Sequence, residues 1–372
     1  MKYSWIKDIT EFQALAEDWD AAMFTSGSSN PFLLSEFIIC WWKRFGAPLK
    51  LNIIVFYENG RICAGLPLYM EATGFKSGFF RVLRYIGGSA ANYTEPFCRV
   101  QHGNLLAAFS AALDERDDWD ALCLSDVNES CCLLSDYRAG LLGDGILGYV
   151  VQDHMNWSID LSGGADKYFA SLSKKMMKDL RAKRKHALKD YGPLKLVRIQ
   201  GGADIEKYFA MYEDFSRQAF KSRNRKSSFA DAQYAAFFRE FILYMDSRSW
   251  LDCHALFAGD TVLAISFAYA FGKGFNWVLT AFNYECRYVR PGYLLIEELV
   301  KYVHEKNEVC YNWYGYERFY KEQWCNTRQP LSRFILVKRS FRGAFYRYLK
   351  GFENFLRSNP RIVALVRKMR LV

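Results

Sequence analysis

Residues 311–324, YNWYGYERFYKEQW, set seven aromatic rings in fourteen positions and thread Glu317, Arg318, Lys321 and Glu322 between them. Such a stretch is either an aromatic corner of the core or the wall of a site. In the second reading the rings shape an apolar slot poor in water, and the charged and phenolic groups within it are those able to move a proton or hold an anion.

A second stretch, ECRYVRPGYLLIEELV (residues 285–300), suits a different task. A strand predicted over 275–282 ends in a loop carrying Arg287 and Arg290, and Pro291-Gly292 then opens a helix. Free backbone N–H groups and the positive end of the helix dipole face whatever lies at the sheet edge, an anion cradle suited to a pyrophosphate, with Arg287 or Arg290 adding charge. Proline at a helix start is also ordinary capping. Other chemistries lose ground. GDGILG (143–148) has the GxGxxG spacing, but it follows a helical stretch and leads into a strand, the reverse of what a dinucleotide site requires, so it reads as a turn. No GxSxG, P-loop or HExxH occurs, the five histidines are scattered, and Cys253-His254 falls inside a predicted strand as packing residues. Serine, cysteine and zinc hydrolases are thereby disfavoured, and no metal site is expected.

Both stretches need a sheet and helices to hold them. Periodicity predicts a helix over 31–46 and strands over 51–58 and 62–70 joined at Asn59-Gly60, the strongest short hairpin signal. It predicts the same unit again as a helix over 230–245, a strand over 250–257, Gly259 and a strand over 261–271. Tandem duplication and chance recurrence of a common unit both account for this. Strands at 81–87, 119–125 and 146–152 with a helix near 103–114 complete the first half. Strands at 275–282, 309–314 and 332–338 with a helix at 292–305 complete the second, so the fold class is mixed α/β. One long helix is predicted between the halves, over 165–190, with Phe169, Leu172, Met176, Leu180 and Leu188 as its apolar stripe. Arg184 interrupts that stripe, and a charge on a packed face ordinarily snorkels. The expected division is 1–155, 156–340 and a basic tail over 341–372.

The composition is that of an ordinary globular chain, 51% hydrophobic and 24% charged in 372 residues, and length alone allows two domains. No apolar run reaches the length of a membrane-spanning helix and the N-terminus has no signal-peptide core, so a cytoplasmic protein is expected. The ten cysteines lack CxxC pairs and metal-like spacing, and read as small buried hydrophobes in a reducing compartment. The net charge of +10 is concentrated: 338–372 carries ten Lys/Arg against Glu353 alone, and 174–190 eight against two Asp. Two basic helices imply an anionic partner. In the tail, Phe341, Phe345, Tyr348, Phe352 and Phe355 trace one helical face, the pattern of a helix lying on an anionic membrane or docking onto the body of the protein.

In chain order, the ICAGLPLYM hairpin, the basic helix SKKMMKDLRAKRKHALK, VRPGYLLIEELV and YNWYGYERFYKEQW together resemble the BioF-like/CelD-type acetyltransferases of the GNAT superfamily, over residues 30–340. The resemblance implies two tandem GNAT-like halves, as in Fem-type peptidoglycan aminoacyltransferases, each a mixed, largely antiparallel sheet flanked by helices. It implies acetyl-CoA or another acyl-CoA as co-substrate and no metal. The family's SPG turn is matched by Arg290-Pro291-Gly292, so Arg287, Arg290, Gly292, Tyr293 and Leu294 are expected at the acyl-CoA. A family segment DF-x-x-G-x-E-x-Y-K is matched by Gly315, Glu317, Tyr320 and Lys321. Glu317 is then the expected base, Tyr320 the acid or oxyanion donor, and Lys321 the anchor of an anionic acceptor. Asn92, Tyr93, Arg184 and Tyr316 are expected on the acceptor side.

The chain departs from the family at three places. The segment's first Asp is Asn312, the spacing to the Tyr-Lys pair is one residue longer, and a DY pair in the first half is Asn92-Tyr93. Two carboxylates are lost, which leaves Glu317 as base, an Asn that hydrogen-bonds substrate, or an inactive site. In a GNAT-type sheet the fourth and fifth strands splay apart for the pantetheine, which assigns those strands to 275–282 and 309–314. The expected function is acyl transfer to an amino or hydroxyl group of a sugar-containing envelope or exopolysaccharide precursor. One alternative is a Fem-type aminoacyl-tRNA-dependent transferase, whose helix at 165–190 would meet RNA with steep salt dependence. Another is a non-catalytic, membrane-associated adaptor of polysaccharide synthesis.

Overall fold

The structure, a computed structural model, describes residues 1–74, 78–99, 105–270, 275–306, 310–313 and 319–358. It forms two compact units. One comprises 1–26, 48–153 and 332–372, the other 27–47 and 154–331. The units therefore exchange segments across the expected boundary at 155: residues 27–47 lie with the second half and residues from 332 onward with the first.

In the first unit Asn59 and Gly60 both take positive φ, 50° and 76°, the twist-matched two-residue turn that Asn-Gly favours. The turn joins Ile53–Glu58 to Arg61–Leu66 in a four-stranded sheet whose edges are Lys2–Ile6 and Phe97–Cys98. The strand expected over 62–70 is broken in two. Proline has no N–H for a ladder, and at Pro67 the chain leaves this sheet. Leu68–Thr73 pairs instead with Phe80–Tyr85, in a second sheet that also holds Lys50–Leu51 and Ala121–Asn128.

The elements of the second unit are labelled by themselves. Helix α1 (Ser35–Phe45) is followed by α2 (Lys174–Asp190), β1 (Leu194–Ile199), α3 (Gly202–Lys221), α4 (Ala232–Ser247), β2 (Leu251–Ala258), β3 (Thr261–Ala270), β4 (Phe275–Phe282), α5 (Pro291–Glu305), β5 (Cys310–Trp313) and α6 (Phe319–Trp324). The sheet order is β1-β2-β3-β4-β5, with β5 then pairing residues 157–160 of the strand Ile146–Asp160. All pairs are antiparallel except β4 with β5.

Local chemistry explains the helix limits. Asp231 caps α4, accepting from Gln233 N at 2.8 Å, and Phe237, Phe238, Phe241, Ile242 and Met245 then form a buried stripe at helical spacing. Phe37 of α1 meets Phe237 and Phe241 at 5.4 and 5.1 Å between ring centres; burial of those rings holds residues 27–47 in this unit. The single helix expected over 165–190 is two: Ala165–Ser171 ends at Leu172, which is extended, and Ser173 caps α2 by accepting from Met176 N at 3.2 Å. Among the described residues nine cysteines are free thiols, five of them buried.

Cys253 and His254 pack inside β2, as expected, 0% and 1% exposed. Neither ring nitrogen of His254 has a hydrogen-bond partner. Burial pushes its pKa down to about 4 from 6.5, reinforced by Arg198 and Lys306 and opposed by Asp252. The unfolded chain thus binds the proton more readily than the folded one between those values. Stability is full above pH 6.5 and is lost as the pH falls towards 4, by about 3 kcal/mol in all. The variant His254→Phe is expected to flatten the slope of stability against pH over that window in urea titrations, and an unchanged slope would show that the imidazole is not desolvated.

Candidate active site

The site starts from an irregularity in β4. Along β3, Phe267 faces Leu279 and Ala268 faces Trp277, so Val278 is an extra residue, a bulge. A bulge bends its strand and sharpens the twist. On the other edge β5 pairs β4 in parallel at Phe275–Tyr311, Asn276–Asn312 and Trp277–Trp313. Among the described residues, pairing on that edge runs only as far as Trp277, one residue before the bulge, and Val278–Phe282 has no strand there. Buried backbone groups demand partners, and a strand-like ligand can supply them. The hydroxyl of Thr280, on the same run, is buried with no hydrogen-bond partner.

The end of β4 leads to a charged helix start. A 3-10 turn, Tyr284–Val289, brings the chain to Arg290, which holds a left-handed conformation (φ 51°, ψ 63°) ahead of Pro291. That geometry is costly for a side chain with a Cβ, by about 1 kcal/mol, and Arg290 is held in it by an ion pair with Asp179 of α2 and by its own stacking over Tyr293 at 5.4 Å. The first turn of α5 carries no acidic residue and no side-chain cap. Tyr293 and Leu294 N–H donate to Arg290 O at 3.0 and 3.4 Å and Pro291 has no N–H, so the Gly292 amide and the helix dipole are what this start offers to an anion. A Cβ on Gly292 would meet only Phe282, the last residue of β4, at 4.0 Å. The helix start and the end of β4 are therefore neighbours.

Helix α2 fastens this corner. Lys183 donates to Tyr288 O at 2.7 Å, Asp179 takes Arg290, and Arg184 lies 3.2 Å from Glu297 and also pairs with Glu298. The charge that interrupts the α2 stripe is thus spent on two carboxylates of α5, which gives Arg184 a structural post. Lys174, Lys175, Lys178, Arg181, Lys185 and Lys189 remain on its exposed surface, a positive field beside an anion-seeking helix start.

The other expected residues fall as follows. Arg287 is exposed and lies over the Tyr284 ring at 4.7 Å. Tyr293 donates through its hydroxyl to Gln323 at 2.6 Å and meets Trp324 edge-on at 5.8 Å. Leu294 is wholly buried and its N–H donates to Arg290 O at 3.4 Å, so it serves packing at the helix start. Tyr320 is half-buried against Trp313 at 5.7 Å, while Lys321 is 4% exposed, an ammonium inside the unit and away from the surface. Trp313 and Trp324 are core residues, 1% and 0% exposed; both described ends of the aromatic stretch are therefore packing. Tyr316, Glu317 and the side chain of Asn312 lie outside the described residues. Asn92 and Tyr93 are half-buried in the first unit.

Sequence reasoning missed a groove of about 590 Å³ between α1, α3 and α4, lined by Arg44, Arg217, Arg239, Glu213, Glu240 and Phe229 among others. Arg44 pairs with Glu240 at 2.8 Å and Arg239 with Glu213 at 3.1 Å. The Nε of Arg44 is buried with no hydrogen-bond partner, and Arg217 is exposed with no ion pair among the described residues. Planar guanidinium donors left over in a groove suit a carboxylate or phosphate. The one sequence signal, Glu213 four residues before Arg217, is indistinguishable from a surface helix pair.

Comparison with known proteins places this geometry. Residues 174–322 match the family described as Acetyltransferase (GNAT) domain, a span that begins with α2 and contains the bulged strand, the helix start and all but the last two residues of the aromatic stretch. The crystal structure of FemX superposes with a TM-score of 0.62 at 11% identity, covering 94% of this chain and 99% of that one. A conserved protein of unknown function from Bacteroides thetaiotaomicron superposes with a TM-score of 0.57 at 12% identity, covering 91% and 100%. Likenesses at such identity concern the fold. No curated protein sequence matches the chain. The fold is mixed α/β, and residues 174–322 form an acetyltransferase domain of GNAT type, which makes the chain an acyltransferase.

Proposed function

We propose that the protein moves an acyl group from acetyl-CoA or a longer acyl-CoA to an amino or hydroxyl group of a sugar-containing envelope or exopolysaccharide precursor in the cytoplasm, in the manner of the BioF-like/CelD-type enzymes. The observation that carries this reading is the Val278 bulge in β4, beyond which the described residues put no strand on the β5-facing edge, next to an uncapped helix start. Acyl-CoA supplies the acyl group as an activated thioester. The β5-facing backbone of Val278–Phe282 would take its amide-bearing arm, the Gly292 amide and the helix dipole its pyrophosphate, and exposed Arg287 would add charge. Glu317 serves as base towards the acceptor and Tyr320 as acid or oxyanion donor.

The groove holding Arg44 and Arg217 fits an acceptor that carries phosphate, as activated sugars do. Free-thiol release from acetyl-CoA in the presence of phosphorylated amino sugars tests the reading. Glu317→Gln is expected to lower kcat about 100-fold while calorimetry shows unchanged acetyl-CoA binding. Turnover equal to that of the unaltered chain would remove Glu317 from the chemistry.

A further inference from the structure

The C-terminal helix Phe341–Ser358 presents two aromatic faces, and among the described residues only one of them is occupied. Inward, Phe345 lies 6.0 and 5.8 Å from Phe79 and Phe80, and Tyr346, 2% exposed, lies 5.3 Å from Phe80. The guanidinium of Arg342 covers Phe79 at 4.7 Å. These contacts fix the helix in rotation on the first unit. Outward stand Phe341, Tyr348 and Phe352, 81%, 69% and 51% exposed. Their spacing of seven and four residues places them on one stripe. Beside the stripe runs a groove of about 520 Å³ lined by Leu147, Ala344, Arg347, Tyr348, Gly351 and Phe352.

Single exposed rings mean little, but three in line on an anchored helix form a patch that water disfavours. What covers it must also match its charge. The segment 338–372 has ten Lys/Arg and one acidic residue, Glu353. Arg347 sits in the groove itself, and Arg342 and Lys350 flank the aromatic contacts. A cationic or purely apolar partner fails on charge or leaves the arginines desolvated. A negatively charged lipid surface meets both demands, with headgroups for the arginines and acyl-chain depth for the rings. The inner face being pinned, the helix can only lie flat in that interface.

We propose that Phe341, Tyr348 and Phe352, with Arg347 beside them, seat the protein on an anionic bilayer. This inference stands apart from the acyl-transfer reading. The test is flotation of the full chain with vesicles. Binding is expected to vesicles containing phosphatidylglycerol, to be weak on pure phosphatidylcholine, and to fall as salt rises. The variant Phe341→Ser/Tyr348→Ser/Phe352→Ser, whose sites are exposed and whose urea midpoint should stay put, is expected to lose at least about tenfold in affinity, through lost apolar insertion. Binding of the triple variant equal to that of the unaltered chain, or equal binding to both vesicle types, overturns the proposal. So does indifference of the full chain to vesicles, whether residues after Ser358 or a soluble acidic protein cover the stripe instead.

Discussion

Gly292→Asp is expected to weaken acetyl-CoA binding about 100-fold, close to 3 kcal/mol, while leaving the fold as stable as before or slightly more so. The two halves of this expectation come from different physics. A side chain at 292 has room, since its Cβ would meet only Phe282 at 4.0 Å, and the backbone there is not in the left-handed region. Replacing a helical glycine removes unfolded-chain entropy, and an acidic group in a first helix turn is favoured by the dipole; each is worth about 0.5 kcal/mol or a little more. The same carboxylate occupies the place where the pyrophosphate would meet the Gly292 amide and the dipole of α5. Like charges about 4 Å apart near a protein surface repel by as much as ~4 kcal/mol before screening. Gly292→Ala separates the two: it should share the stability gain and keep affinity within about threefold. Calorimetry alongside urea unfolding checks both, and an Asp variant that binds as well as the parent would place the carrier elsewhere.

Trp324→Ala is expected to cost about 3–5 kcal/mol of stability, the largest effect of any single truncation proposed for this chain. Trp324 is 0% exposed at the end of α6, its ring meets Tyr293 edge-on at 5.8 Å, and its carbonyl accepts from Tyr168 at 2.6 Å. The loss is a large fraction of what a domain has to spare, typically about 5–15 kcal/mol. It should also be felt at the helix start, because Tyr293 is in the first turn of α5 and its hydroxyl partner Gln323 adjoins Trp324. Trp324→Phe gives the sharper comparison. The indole N–H is buried without a hydrogen-bond partner, so the phenyl ring leaves a smaller cavity and removes an orphan donor. A decrease in urea midpoint at constant slope for Ala, and a much smaller one for Phe, is the expected pair of results. Equal losses would mean that the indole nitrogen is satisfied.

Local rules were legible in the sequence wherever a single residue decides the backbone. Asn59-Gly60 makes its hairpin with both residues at positive φ. The helix expected at 292–305 and the strand expected at 275–282 appear as Pro291–Glu305 and Phe275–Phe282. What escaped depends on partners far along the chain. Arg184 reads as a snorkelling charge because Glu298, which takes it, lies 114 residues later. The Val278 bulge is invisible in FNWVLTAF, since an extra residue shows only against the neighbouring strand. The break at Ser173 is hidden by an apolar periodicity that continues across it. In the C-terminal helix, Phe341 and Phe345 belong to one stripe by spacing, yet the second turns to Phe79 and Phe80 while the first stays 81% exposed.

The central claim is that the β5-facing edge of Val278–Phe282 is open in the free chain and closes on an acyl-CoA beside Gly292. Amide hydrogen exchange tests it directly. Saturating acetyl-CoA should slow exchange over residues 278–282 and 292–294 and leave β2, residues 251–258, unchanged. Full protection of 278–282 before any ligand is added, or no change there on saturation, would contradict it.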